Sequence, residues 1–322
     1  MRVVVVGAGA MGGLFGAKLA STGHDVLLFD TWNEHVAAIE RLGLSIEGVD
    51  GTIVRYRVRA TDRPPQAIAT AELILVQVKA YDTLAALTPF RGRLNAETFV
   101  LSLQNGLSNL EQMREAVPGH DRLLLGTTAH GATMLGPGRI RHAGKGMTMI
   151  GDPASPHEPR FDLQPIRAAF ARAGFETDIV SNIHSAIWAK LVSNVAINPI
   201  TALTGLHNGE LLDDPEIQRL VEAVVTETVA VMRAAGVPTV MVDYLKHTRR
   251  VMEQTRSNVS SMLQDIRRGR PTEIDAINGA VARLADELGV PAPVNHYLAA
   301  LVRHRERDAM RGNREQGTGN RG

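Results

Sequence analysis

Arg2-Val3-Val4-Val5-Val6-Gly7-Ala8-Gly9-Ala10-Met11-Gly12 opens the chain, and its reading decides the fold. Arg2–Val6 predicts a strand, and Met11–Thr22 predicts a helix. Between them stands Gly-x-Gly-x-x-Gly. Such a strand–glycine turn–helix is built to hold a dinucleotide. Gly7 permits a tight turn, Gly9 leaves room for a pyrophosphate near Ala8 and Ala10, and Gly12 lets the helix pack closely on the sheet. The helix start at Met11 offers free N–H groups and a positive dipole end to phosphates. The structural alternative is a glycine-rich turn with no ligand.

Working outward, short apolar runs alternate with helical patterns. Strands are expected at Asp25–Phe29, Thr52–Arg59, Leu73–Val78, Thr98–Leu103, Leu123–Ala129, Arg139–His142, Thr148–Ile150 and Glu176–Val180. Helices are expected at His35–Leu42, Asp82–Leu87 and Pro165–Ala173, and a Pro-rich loop at 151–159. Alternation of this kind predicts an α/β Rossmann-type domain with a parallel sheet. From Asn182 the strand patterns stop. Helices are expected at 184–203, 215–235, 239–268, 272–288 and 293–310, with stops at Gly236-Val237-Pro238 and Gly289-Val290-Pro291. The expected organisation is a dinucleotide-binding domain over 1–181, an all-α substrate and dimerisation domain over 182–311, and a disordered tail over 312–322.

Composition narrows the chemistry. The 322 residues include no cysteine, which excludes thiolate nucleophiles, disulfides and iron–sulfur clusters. Lys and Arg number 35 against 34 Asp and Glu, for a net charge of +1, which argues against nucleic-acid binding. The histidines lie scattered with no His-Glu-x-x-His pattern, so no metal site is expected. Met1-Arg2 and Val3–Val6 are too short for a signal-peptide core of ~7–15 apolar residues. No apolar run reaches the ~20 residues of a membrane span, and a cytoplasmic location is the expectation.

Several residues stand where chemistry is done. Asp30 closes the second strand about 20 residues after Gly7, where an acid fits a ribose 2′-hydroxyl and repels a 2′-phosphate. No Arg or Lys follows within Thr31–Glu34, which favours NAD(H) over NADP(H). Lys79 and Gln104-Asn105-Gly106 end two further strands, at the usual ligand edge. Lys190, Asn194 and Asn198 share one face of an otherwise apolar helix. A Lys held against a carbonyl can donate a proton to the developing alkoxide, and desolvation makes it a better donor. Asn258, Ser261 and Glu273 flank a basic break at 267–270. Each also has an ordinary reading. Asp30 can be a turn residue or a cap, Lys79 a solvated strand end, and Asn105 part of a plain turn. Lys190 can be an exposed helix position, Ser261 a surface hydroxyl, and Glu273 a first-turn acid favoured by the helix dipole.

Taken together, these segments resemble the 2-dehydropantoate 2-reductase (ketopantoate reductase) family from about Arg2 to Asp308. The resemblance rests on Gly7–Gly12, Val78-Lys79-Ala80, Gln104-Asn105-Gly106, Trp188-Ala189-Lys190-Leu191 with Asn194 and Asn198-Pro199, Ser260–Asp265, and Thr272-Glu273-Ile274-Asp275 with Asn278-Gly279. It implies reduction of 2-dehydropantoate to (R)-pantoate with NAD(P)H, on the way to pantothenate and coenzyme A. By resemblance Lys190 is the general acid. Glu273 holds the substrate hydroxyl and stabilises the charged Lys. Asn194, Asn198, Asn258 and Ser261 bind substrate, and Lys79 and Asn105 lie between cofactor ribose and substrate. Hydride passes from nicotinamide C4 to substrate C2 in the cleft between domains. Family usage suggests NADPH, but members using it tend to carry a basic residue where this chain has Asp30-Thr31-Trp32, so this chain tilts to NADH. The expected partner is a small 2-oxo acid, with no nucleic acid and no membrane, and a homodimer is a possible assembly. Two rivals stay open: a reductase of another 2-oxo or hydroxy acid, and a non-catalytic NAD(P)-binding sensor.

Overall fold

In a computed structural model of the chain, Arg2–Val6 is strand β1, and Val3–Val6 are almost wholly buried. A run of valines buried on both faces is what a central parallel strand requires. Residues 1–155 and 157–318 are described, the side chains of 312–318 excepted. The elements following β1 are α1 (Ala10–Ser21), β2 (Asp25–Phe29), α2 (Asn33–Leu42), β3 (Leu44–Glu47), β4 (Ile53–Tyr56), β5 (Arg59–Thr61), β6 (Leu73–Val76), α3 (Thr83–Leu87) and β7 (Phe99–Ser102). Then come α4 (Asn109–Ala116), β8 (Leu123–Thr128), β9 (Gly131–Gly136), β10 (Arg139–Gly144), β11 (Thr148–Gly151), α5 (Gln164–Arg172) and β12 (Thr177–Ile179).

The large sheet has the order β12-β11-β8-β7-β6-β1-β2-β5. Its pairs are parallel except β8 with β11. From β1 the chain goes to β2 on one side, and later to β6 on the other. That reversal is the topological switch point of a doubly wound sheet, where ligands bind beyond the strand ends. The expected Rossmann-type reading of this region holds. Under the sheet Phe15, Phe170 and Phe175 pack together, with the Phe15 and Phe175 rings stacked at 3.9 Å between centroids.

The structure departs from the sequence expectation in four places here. Thr52–Arg59 is not one strand. It breaks at Arg57-Val58, and β4 joins a second sheet of order β4-β3-β10-β9 while β5 pairs with β2 at the edge of the first. A single straight strand cannot serve two sheets. Strands β3 and β9 and helix α4 escape the sequence reading because each is short. β9 is also bounded by glycines and half-buried throughout.

The helical unit contains α6 (Ile183–Thr204), α7 (Pro215–Ala234), α8 (Tyr244–Gln254), α9 (Ser261–Arg267), α10 (Asn278–Leu288) and α11 (Pro293–Thr318). It comprises the chain from His184 onward together with Asn105–Leu107; the rest forms the other unit. Helix α6 is long and apolar enough to cross a membrane by length and composition, yet its apolar window is 78% buried inside the protein. It packs in one core with Val221 and Val224 of α7, Val281 of α10, and Leu298 and Val302 of α11.

The expected helix over 239–268 is two. Its first part starts only at Tyr244, where Asp243 caps by accepting from Lys246 N at 2.8 Å. It stops at Gln254, and Ser260 opens α9 by accepting from Leu263 N. Thr255 and Ser260 turn their hydroxyls to the local backbone, which competes with extending a helix. The expected helix over 272–288 begins at Asn278. Thr272 Oγ1 accepts from Ile274 N, and Ala276 and Ile277 donate to Glu273 O, so 272–277 form successive turns. Glu273 is therefore not a first-turn helix acid. Of the tail expected over 312–322, the backbone of 312–318 continues α11, and 319–322 lie outside the described residues.

Candidate active site

The Gly7–Gly12 turn leaves β1 at the switch point. A Cβ on Gly12 would lie 1.8 Å from the Gly7 carbonyl oxygen, so no other residue fits there without moving the turn. A Cβ on Gly9 would meet nothing within 4 Å. The turn is thus packed on its sheet side and open on the other. It heads α1, a 12-residue helix whose first amides and dipole favour an anion. The residues present therefore fit the diphosphate of a dinucleotide.

Asp30 sits at the end of β2 beside this turn. Its Oδ2 accepts from Ala8 N at 2.8 Å and its Oδ1 from Trp32 N at 2.9 Å. Asp30 thus fills the turn-residue role. A carboxylate has about four lone-pair sites, so each oxygen can accept once more. Lys79, half-buried, follows β6 on the other side of the switch point. Gln104 donates through Nε2 to Val78 O and Thr83 Oγ1, both at 2.7 Å, which fixes where β7 ends.

In the helical unit three residues meet from far apart in sequence. Lys190 Nζ donates to Asn105 Oδ1 at 2.8 Å, and Asn105 Nδ2 donates to Glu273 Oε2 at 3.1 Å. Asn105 thus presents its carbonyl to the cation and its amide to the carboxylate. Lys190 lies on the half-exposed side of α6, and Glu273 is 7% exposed. Burial lowers the Lys190 pKa from 10.5 to about 8, and the Glu273 charge opposes part of that fall. An ammonium so tuned gives up its proton near neutral pH.

Gly106 lets the Asn105 strap lie down. Its φ is +81°, and a Cβ would stand 2.4 Å from Ala276 O. Leu107 N donates to the same carbonyl at 2.9 Å. Asn105 is thereby anchored to the turns that carry Glu273.

Pro199 interrupts α6 and cannot donate to Val195 O, its partner four residues back. Asn278 Nδ2 makes that bond instead, at 2.9 Å. Asn278 is fully buried, and it also reaches Asn295 Oδ1 at 3.2 Å. In the sequence Asn278 stands only as part of the Asn278-Gly279 motif, with no role of its own. Pro199 was the available signal, because a proline inside a buried helix demands a substitute donor.

The other site residues lie as follows. Asn194 is half-buried on the Lys190 side of α6, and Asn198, one turn further on, is 6% exposed. Asn258 is exposed between α8 and α9, and its backbone carbonyl accepts from Asn208 N. Ser261 is exposed at the start of α9, while its neighbour Ser260 does the capping and bonds Thr201 Oγ1 at 2.7 Å.

Comparison with known proteins agrees along the chain. The ketopantoate reductase PanE/ApbA family matches residues 3–155, and its C-terminal region matches residues 182–306. The 2-dehydropantoate 2-reductase of Halobacterium salinarum is 41% identical over 310 residues, covering 96% of this chain and 100% of the relative. That of Vibrio cholerae is 33% identical over 313 residues, covering 94% and 97%. Among solved structures, a PanE/ApbA family ketopantoate reductase from Ralstonia eutropha superposes with a TM-score of 0.87 at 35% identity, covering 96% and 99%. A D-mandelate dehydrogenase, solved with NADH and anilino(oxo)acetate, gives 0.87 at 26% identity, with the same coverage. This chain therefore belongs to the ketopantoate reductase family.

Proposed function

We propose that the protein reduces the 2-oxo group of 2-dehydropantoate to give (R)-pantoate, with Lys190 as the proton donor. The observation that carries the reading is the Lys190–Asn105–Glu273 chain of hydrogen bonds, with the Lys190 pKa lowered to about 8. A reduced nicotinamide, when bound, supplies the hydride to C2. Gly7–Gly12 would hold its diphosphate, and Asp30 and Lys79 its ribose. Lys190 Nζ gives a proton to the carbonyl oxygen as negative charge develops there. Glu273 then stabilises the charged lysine as it regains a proton, and Asn105 keeps the Nζ–H direction fixed between turnovers. Asn194, Asn198, Asn258 and Ser261 are the proposed substrate contacts.

The proposed cofactor is NADH. Asp30 places a carboxylate where a 2′-phosphate would need a cation, and 31–34 supply none. Such a reductase draws on the reduced nucleotide of the cytoplasm, the expected location. A homodimer is a separate reading. Tyr297 and Leu301 stand exposed one turn apart on α11, and sedimentation velocity checks whether two copies associate.

The test is loss of reduced-nicotinamide absorbance with 2-dehydropantoate, run with NADH and NADPH in turn. The reading expects turnover with both and a lower KM for NADH. A KM lower for NADPH overturns the Asp30 argument, and no turnover with either overturns the function. The likeness to a D-mandelate dehydrogenase bound to an oxo acid favours a second reading, in which the substrate is another 2-oxo acid. A panel of 2-oxo acids ranked by kcat/KM separates the two.

A further inference from the structure

Ala8 is held on both sides. Its N–H donates to Asp30 Oδ2, and its carbonyl lies 2.9 Å from His35 Nε2. His35 is fully buried in α2, and Gly138 N donates to its Nδ1 at 3.0 Å. Because Nδ1 accepts that bond, the ring proton must sit on Nε2, where it is donated to Ala8 O. The Trp32 indole stacks on the imidazole, with centroids 5.2 Å apart and the planes 13° from parallel. Burial lowers the His35 pKa, which keeps the ring neutral in the tautomer both bonds need.

The Ala8–Gly9 peptide is trans and planar, so its C=O and N–H point in opposite directions. With Ala8 O turned inward to His35, the Gly9 N–H is turned away from the ring. Gly9 caps α1 and is the residue whose missing Cβ leaves open space. We propose that His35 is a positioning residue for the dinucleotide, turning the Gly9 amide toward the diphosphate by its bond to Ala8 O, with Gly138 selecting the tautomer. Gly138 is the turn between β9 and β10, and its carbonyl accepts from Ser45 N at the start of β3. The small sheet thereby sets the amide direction in the nucleotide turn of the large one.

The proposal rests on the nucleotide-binding reading, and His35→Gln and His35→Asn separate its parts. Gln places an amide donor where Nε2 was, keeping the Ala8 bond. Asn places a carbonyl where Nδ1 was, keeping the Gly138 bond. Both retain a polar side chain, so the comparison stands even if His35→Leu fails to fold. NADH affinity is read by fluorescence titration, and kcat at saturating NADH by turnover of the keto acid. His35→Gln should bind NADH within about threefold of wild type, and His35→Asn about tenfold more weakly, with little change in kcat. His35→Gln should also melt lower than wild type, because Gly138 N–H loses its acceptor. If His35→Asn binds like wild type and His35→Gln weakly, the imidazole serves only the hairpin and the proposal fails. It also fails if both bind like wild type. Wild type that binds neither NADH nor NADPH brings down the nucleotide reading, and the role of His35 with it.

Discussion

The Gly7–Gly12 turn and the Lys190–Asn105–Glu273 cluster are built in opposite ways. The turn is contiguous, made of backbone, and defined as much by side chains it lacks as by those it has. The cluster is all side chain, drawn from a strap after β7, a long buried helix and a run of turns, with partners 85 and 168 residues apart. A backbone site fails where an added atom meets packed backbone, as at Gly12, and uses side chains such as His35 to aim its amides. A side-chain site depends on single functional groups and on whatever holds their elements still. Loss of a group should therefore strike chemistry in one region, and gain of a methyl should strike binding in the other.

The largest expected effect tests the side-chain half. Lys190→Ala should lower kcat for keto-acid reduction by about 10³, within the usual range for a general acid, while NADH affinity stays within about threefold. Equal losses in both quantities would erase the distinction between the regions. Gly12→Ala tests the other half. Its methyl meets the Gly7 carbonyl, so NADH affinity should fall by about tenfold or more, with a lower melting temperature from a loss of ~1–3 kcal/mol. An unchanged titration curve would mean that the turn has slack.

A smaller effect is expected at Asn278. Replacing it by Ala strands the Val195 carbonyl in the core and should cost about 1–3 kcal/mol, read by denaturant melts. Adding Pro199→Ala restores a backbone N–H to that carbonyl, so the double variant should recover part of the loss. Strict additivity would show that the amide and the proline are uncoupled.

How legible each region was follows from the same contrast. The turn could be read directly because its meaning is local: a strand, three glycines at set spacing, and a helix. The Lys190 line was half legible. Helical spacing put Lys190, Asn194 and Asn198 on one face, but nothing in that spacing says that Asn105 bridges Lys190 to Glu273. That pairing came only as an implication of family resemblance, and even so without Asn105 as the link. The small sheet was missed because β3 pairs with β10 across most of the unit, and four-residue strands carry little periodicity. The helix expected over 239–268 was read too long because apolar periodicity runs on while Asp243, Thr255 and Ser260 take the backbone bonds. His35 gave no sequence signal, since a buried histidine looks like any other until its two ring nitrogens are seen to bind Ala8 and Gly138.

The proton of Lys190 is read most directly by the pH dependence of kcat/KM for 2-dehydropantoate at saturating NADH. Protonated Lys190 is the donor, so the rate should hold below pH 8 and fall as pH rises through about 8. The same depressed pKa acts on stability with the opposite sign. Between about 8 and 10.5 the unfolded chain binds more protons at this lysine than the folded one, so its contribution to stability rises with pH across that window. A falling rate with an intact melting transition is the predicted result. A rate that stays flat from about pH 7 to 10, or the same fall in Lys190→Ala, would contradict Lys190 as the donor.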